Sequence, residues 1–277
     1  MQFLLSLLLA AQTDPSFKVD LNLIRVEVQV TEKGQPVMGL RPEQFTVLDN
    51  GVAQPIVALM AEEQPLDLVL LVDLSGSMLR MLDELRKNVA GALKQLRPVD
   101  RIGVIGFATE SKVELELTED HARAAEVAKE LRPIQAGTEI NRNLELAALY
   151  LLKQARVGAK RVILILTDNL GERLVADRDV VERIWNTDVV VHGLLFTPPT
   201  LVNAGFRHVE VFSELTGGEC FYVGIKAADL AGAFERMRKR YALLYRAPEV
   251  EESEVRRIDV RVKGKYEVRH RRGYRSK

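Results

Sequence analysis

Residues 69–78 read "VLLVDLSGSM". Val69, Leu70, Leu71 and Val72 are apolar without alternation, the pattern of a strand buried on both faces inside a parallel sheet. A carboxylate directly after such a strand, Asp73, stands at the rim of the sheet. In open α/β sheets ligands bind at that rim, beyond the carboxyl ends of the strands. Asp73, Ser75 and Ser77 are therefore the first candidate binding residues.

Downstream, strands and helices take turns. Leu82, Leu85, Val89, Leu93 and Leu96 recur at helical spacing up to Pro98. "RIGVIGFA" reads as a buried strand, "KVELELT" as an alternating edge strand, and 122–131 as a helix that ends before Pro133. Thr138 falls in the next loop, and Leu144, Ala147, Ala148, Leu151 and Leu152 mark the helix after it. "RVILILT" is another buried strand, with Asp168 just beyond its end. A helix over 175–185, the strand "DVVVHGLLF", a short helix over 209–215, the strand "CFYV" and a closing helix over 230–244 complete the expected order. Such alternation is the signature of a parallel sheet with helices on both faces.

The flanks have a different character. Upstream, 19–59 alternates in short runs with turn signals, Asn50-Gly51 sitting at a hairpin position. Downstream, Ile258, Val260 and Val262, then Tyr266 and Val268, alternate around Lys263-Gly264-Lys265 like a second hairpin. The expected organisation is a β-rich segment over 16–64, an α/β domain over 65–245 and a β-rich segment over 246–277. The two flanks are expected to pair into a small sandwich. Residues 1–15, with the apolar run of "MQFLLSLLLAAQT", read as a signal peptide, although no Lys or Arg precedes the run. Export, to the periplasm or outside the cell, is the expected location.

Composition narrows the function. With 39 acidic and 39 basic side chains the formal charge is zero, so no global field draws the chain to nucleic acid or anionic lipid. The acidic run Glu249–Glu254 and the basic tail from Arg256 onward are read as solvated surface. One cysteine, Cys220, excludes an intrachain disulfide and a cysteine-built zinc site. His121, His192, His208 and His270 show no metalloprotease-type pairing and are expected as core or surface side chains. No later stretch is long and apolar enough for a transmembrane helix.

Three loops thus converge on one rim: Asp73, Ser75 and Ser77, then Thr138, then Asp168. Two carboxylates and three hydroxyls are hard oxygen donors that suit magnesium, or manganese in its place. Gly76 is read as removing a Cβ that would crowd the approach. Met78 and Leu79 are expected as helix-start packing, and Glu139 as a solvent-facing residue at a helix start favoured by the helix dipole.

The D-x-S-x-S run, the threonine some 65 residues on and the aspartate some 30 further resemble the metal-ion-dependent adhesion site of von Willebrand factor type A domains and integrin inserted domains. The resemblance covers 65–245. It implies a Rossmann-like domain with a mostly parallel sheet and one antiparallel edge strand, for which "KVELELT" is the candidate. It implies a metal site at Asp73, Ser75, Ser77, Thr138 and Asp168, holding Mg2+, with Mn2+ or Ca2+ as alternatives. It also implies adhesion or complex assembly, without catalysis, through an Asp or Glu of a protein partner. The flanks are similar to a group of exported bacterial proteins of this superfamily. Asn169 stands where the family often has glycine.

Two other readings compete. A haloacid-dehalogenase-like phosphohydrolase also uses an aspartate after a buried strand, but its second acid, two residues on, is here Ser75. A metal-free scaffold would use the serines and threonine only to cap helices. Neither a G-x-S-x-G elbow nor a dinucleotide or Walker loop is present. Selectivity for a partner is expected from the loops at 79–81, 139–142, 169–173 and "TPPTLVNAG".

Overall fold

The computed structural model describes residues 23–61, 64–171, 177–196, 208–222 and 230–276. The expected signal peptide, the "TPPTLVNAG" loop and the end of the 169–173 loop lie outside the described residues. Five strands come first: β1 (Leu23–Glu32), β2 (Gln35–Pro36), β3 (Phe45–Asp49), β4 (Val52–Gln54) and β5 (Ile56–Met60). The α/β part follows as β6 (Leu66–Asp73), α1 (Leu79–Leu93), β7 (Arg101–Phe107), β8 (Ser111–Thr118), α2 (His121–Glu130) and α3 (Ile140–Gln154). It continues with β9 (Lys160–Thr167), α4 (Asp177–Trp185), β10 (Val189–Leu195), α5 (His208–Thr216), β11 (Cys220–Tyr222) and α6 (Leu230–Arg238). Four strands close the chain: β12 (Tyr241–Arg246), β13 (Val255–Val262), β14 (Glu267–His270) and β15 (Gly273–Arg275).

The central sheet has the order β11-β10-β9-β6-β7-β8. All its pairings are parallel except β7 with β8, so "KVELELT" is the antiparallel edge strand. Every residue of β6 is buried, and the pleat divides them between two cores. Leu66, Leu68, Leu70 and Val72 pack with α1, α2 and α6, while Val69 and Leu71 pack with α3, α4 and α5. From β6 the chain moves to β7 on one side, and from β9 to β10 on the other. The strand order therefore reverses between β6 and β9, which is where such sheets open a crevice.

The flanking strands form two further sheets, β14-β1-β12-β5 with β2 on β1, and β15-β13-β3-β4. Their inner faces share one core containing Val26, Val28, Phe45, Val47, Tyr241, Tyr245, Ile258 and Tyr274, which makes a sandwich. Asn50 (φ 46°) and Gly51 (φ 82°) form the two-residue β3–β4 turn, and positive φ at both positions suits the strand twist.

Three expectations about the flanks are corrected. The closing helix stops at Arg238, and 241–246 is β12, antiparallel to β1. Tyr241, Leu243 and Tyr245 are all buried in the sandwich core, so partner strands distant in sequence select the period of two. The strands on either side of Lys263-Gly264-Lys265 do not pair: β13 joins β3, while β14 joins β1 in the other sheet. The basic tail is not simply solvated, because Arg256 and Arg271 are buried, on Asp49 (2.7 Å) and Asp188 (2.6 Å).

Candidate functional site

The site is assembled at the strand reversal. The main chain holds the loop after β6, since Leu74 N–H donates to Phe107 O (2.7 Å) and Ile134 N–H donates to Leu74 O (2.7 Å). Leu74 itself lies over Gly106, where an added Cβ would stand 2.6 Å from its Cδ1. Asp73 is fully buried, and both its oxygens accept hydrogen bonds. Oδ1 takes the N–H of Ser75 (2.9 Å), and Oδ2 takes the hydroxyl of Thr167 (2.6 Å). The chain then turns through a short 3-10 segment, Gly76–Met78, into α1. That turn sets Ser75 Oγ and Ser77 Oγ 3.1 Å apart.

The loop carrying Asp168 comes off the neighbouring strand. Asp168 is buried and its Oδ1 accepts from Leu170 N–H (3.1 Å). Asn169 takes the left-handed conformation (φ 63°) that asparagine tolerates better than most residues. Its side chain ties the loop to α5, donating to Glu210 Oε2 (2.6 Å) and accepting from Val209 N–H (3.2 Å). The departure from glycine is thus put to use as a clamp.

Thr138, buried, precedes α3. Glu139 N–H donates to Ala108 O (3.0 Å), and Asn143 Nδ2 donates to Ala108 O (3.1 Å) and Glu139 O (2.8 Å), pinning this segment to the end of β7. It also touches the Asp168 loop, because a Cβ on Gly171 would lie 3.0 Å from Thr138 O. All three loops meet, with Asp73, Ser75 and Ser77 linked most tightly.

The electrostatics favour a cation. Burial pushes the Asp73 carboxyl up to about 6, against the hydrogen bonds from Thr167 and Ser75, and repulsion from Asp168 adds to the rise. Two acidic groups therefore face one another in a largely desolvated place. The hydroxyl pair suits a small hard ion: neighbouring oxygens of a magnesium octahedron, with bonds of about 2.0–2.1 Å, lie about 2.9 Å apart. Among the described residues no group of three or more His, Cys, Asp and Glu gathers as a metal site. Any cation held here would therefore rely on hydroxyl oxygens.

Some details differ from expectation. Met78 is buried as expected, but Leu79 is 58% exposed, and Leu170 in the opposite loop is 46% exposed. The Glu139 side chain is only 13% exposed, with Oε2 4.0 Å from Arg142 and without a hydrogen bond. It is not the solvated helix-start residue that its position suggested. Thr167 and Glu210 were missed; the hydroxyl ending the apolar run "VILIL" was the available signal for Thr167.

Comparison with known proteins bears on the fold. Residues 68–172 match the von Willebrand factor type A domain family. One similar solved structure is the conserved hypothetical protein BatB from Bacteroides thetaiotaomicron, at 17% identity, 62% of this chain, 96% of that chain and a TM-score of 0.50. Another is an aerotolerance-related membrane protein from Bacteroides fragilis NCTC 9343, at 18% identity, 63% of this chain, 99% of that chain and a TM-score of 0.52. Both likenesses speak to the fold. Calcium-activated chloride channel regulator 1 of Bos taurus is 24% identical over 197 residues, covering 69% of this chain and 21% of the relative. The chain thus spans about a fifth of that relative's length. Family match and strand order agree: residues 68–172 lie in a von Willebrand factor type A-like domain.

Proposed function

We propose that the chain is a metal-dependent protein-binding module, in which Asp73, Ser75, Ser77, Thr138 and Asp168 hold a divalent cation. The observation that carries this reading is the hydroxyl pair of Ser75 and Ser77, 3.1 Å apart, beside the buried carboxylates of Asp73 and Asp168. Both Asp73 oxygens are engaged by protein donors, so Asp73 acts by charge and through water, while the serines bind directly. Magnesium is the first choice, with manganese or calcium as substitutes. Bound there, the ion supplies a Lewis-acidic position for an Asp or Glu of a partner protein. The exposed Leu79 and Leu170 supply apolar contact on either side. The work is adhesion or complex assembly and not catalysis.

In this reading 65–240 is the binding domain, 16–64 and 241–277, which includes β12, form its support, and 1–15 direct export to the periplasm or beyond. Among the described residues no helix is long and apolar enough to cross a membrane.

Isothermal titration with magnesium tests the central step. Wild type gives a saturable heat; Ser77→Ala, at an exposed position, keeps the fold and weakens the affinity about tenfold, the loss of one direct ligand. Asp73→Ala abolishes it. Absence of any metal-dependent heat in wild type sinks the proposal. Chelator-sensitive capture of an envelope protein then identifies the partner, whereas phosphatase activity lost in Asp73→Ala would favour the hydrolase.

A further inference from the structure

At the amino end of β9, away from the Asp73 rim, the α/β part meets the sandwich at a cleft of about 70 Å3. Its charged and imidazole lining is Arg25, Glu27, Lys160, Arg161, Asp188, His192 and Arg240. Arg240 is only 2% exposed, and its Nη2 donates to Gly217 O (2.8 Å), but Nε and Nη1 have no hydrogen-bond partner. His192 is fully buried; its Nδ1 accepts from Glu219 N–H (3.3 Å), which leaves the neutral ring's proton on Nε2, also without a partner. Arg161 Nε is a fourth such donor.

The side-chain acceptors are two carboxylates, Glu27 and Asp188, and Asp188 Oδ1 already accepts from Arg271 (2.6 Å). Lys160 Nζ donates to the carbonyls of Arg238 (2.7 Å) and Arg240 (3.1 Å) and stands 3.7 Å from Glu27 Oε2. Glu27 Oε1 is taken by Arg25 (2.6 Å). Among the described lining residues, Glu27 Oε2 is the one buried side-chain acceptor without a hydrogen bond. Water filling the cleft would have to place its own hydrogens on acceptors, and few exist; an anion accepts from several donors at once and needs none. Charge points the same way. Burial holds Lys160 down at about 8 and Arg240 at about 10; Glu27 opposes this in both, while neighbouring arginines add to it.

We propose that this cleft binds a small inorganic anion, held by Arg240, His192 and Arg161. The anion satisfies donors contributed from β9, β10 and the α6–β12 link, and so stiffens the joint between the central sheet and the sandwich.

Thermal unfolding of the full chain at constant ionic strength, with gluconate replaced stepwise by bromide or by phosphate, tests this. A saturable rise in midpoint with bromide alone identifies a halide site, and with phosphate alone an oxyanion site. Bromide-soaked or phosphate-soaked crystals then carry the ion within hydrogen-bond distance of Arg240. His192→Phe keeps an aromatic ring in place of the imidazole that stacks on Phe221 but removes the Nε2 donor, and raises the anion concentration needed about tenfold. Midpoints indifferent to both anions, with only water in the cleft, overturn the proposal.

Discussion

Replacing Asp49 by alanine tests whether a single buried carboxylate locks the two sandwich sheets together. Asp49, at the end of β3, is fully buried. Its Oδ2 accepts the hydroxyls of Tyr245 on β12 and Tyr274 on β15, each at 2.8 Å, and its Oδ1 accepts Arg256 Nε on β13 at 2.7 Å. Those partners come from both sheets. Removing the carboxylate leaves a guanidinium that is itself 9% exposed and, among the described residues, keeps Glu254, 40% exposed, as its ion-pair partner. It also strands two buried hydroxyls. Breaking one side of a buried ion pair costs about 3–5 kcal/mol, and an orphaned hydroxyl about 1–3 kcal/mol. Because water and Glu254 recover part of this, a net loss of about 4 kcal/mol is expected, a large share of a typical domain's stability.

Urea unfolding of Asp49→Ala, Arg256→Met and the double variant measures it. The single tryptophan of the sequence, Trp185, is a fluorescence reporter of this unfolding, since its ring lies against Gly273 of the sandwich strand β15. The double variant should lose less than the sum of the singles by about 2 kcal/mol or more, because an unpaired buried charge is absent from it. A loss below about 1 kcal/mol for Asp49→Ala, or strict additivity across the cycle, refutes the reasoning.

Acid should act on the sandwich through His270. The ring is buried with Nδ1–H on Arg271 O (2.7 Å) and Nε2 accepting Val260 N–H (3.1 Å), and burial, helped by Arg272, pushes it down to about 4. The unfolded chain takes up the proton first, so stability is complete above about 6.5 and falls toward pH 4 by about 3 kcal/mol. Denaturation midpoints of wild type and His270→Gln between pH 7 and 4.5 should diverge accordingly; parallel profiles would exclude this role. Gly218→Ala should cost about 3 kcal/mol in thermal unfolding, because the new Cβ would stand 1.9 Å from Val191 O. Gly91→Ala, within α1 and facing open space, should instead gain about 0.5–1 kcal/mol.

The sequence alone determined the α/β core and its rim. Aliphatic runs such as Val69–Val72 bury both faces wherever they are placed, so local pattern suffices to specify interior strands and the loops that follow them. The turn that carries Asp73, Ser75 and Ser77 was legible because a tight turn after a rigid strand is a local object, and the register of β6 on β9 sets the loop of Asp168 next to it. Tertiary structure alone decided the rest. "YALLYR" is as plausible in a helix as in a strand, and pairing with β1 on one side and β5 on the other, both distant in the chain, selects the strand. The fate of β13 and β14 in separate sheets, the burial of Arg256 on Asp49, and the donor-rich cleft at Arg240 likewise depend on segments that sequence separation hides. The physical reason is common to them: each is stabilised by contacts between distant segments, and no local periodicity records which distant partner a strand or a charge will meet.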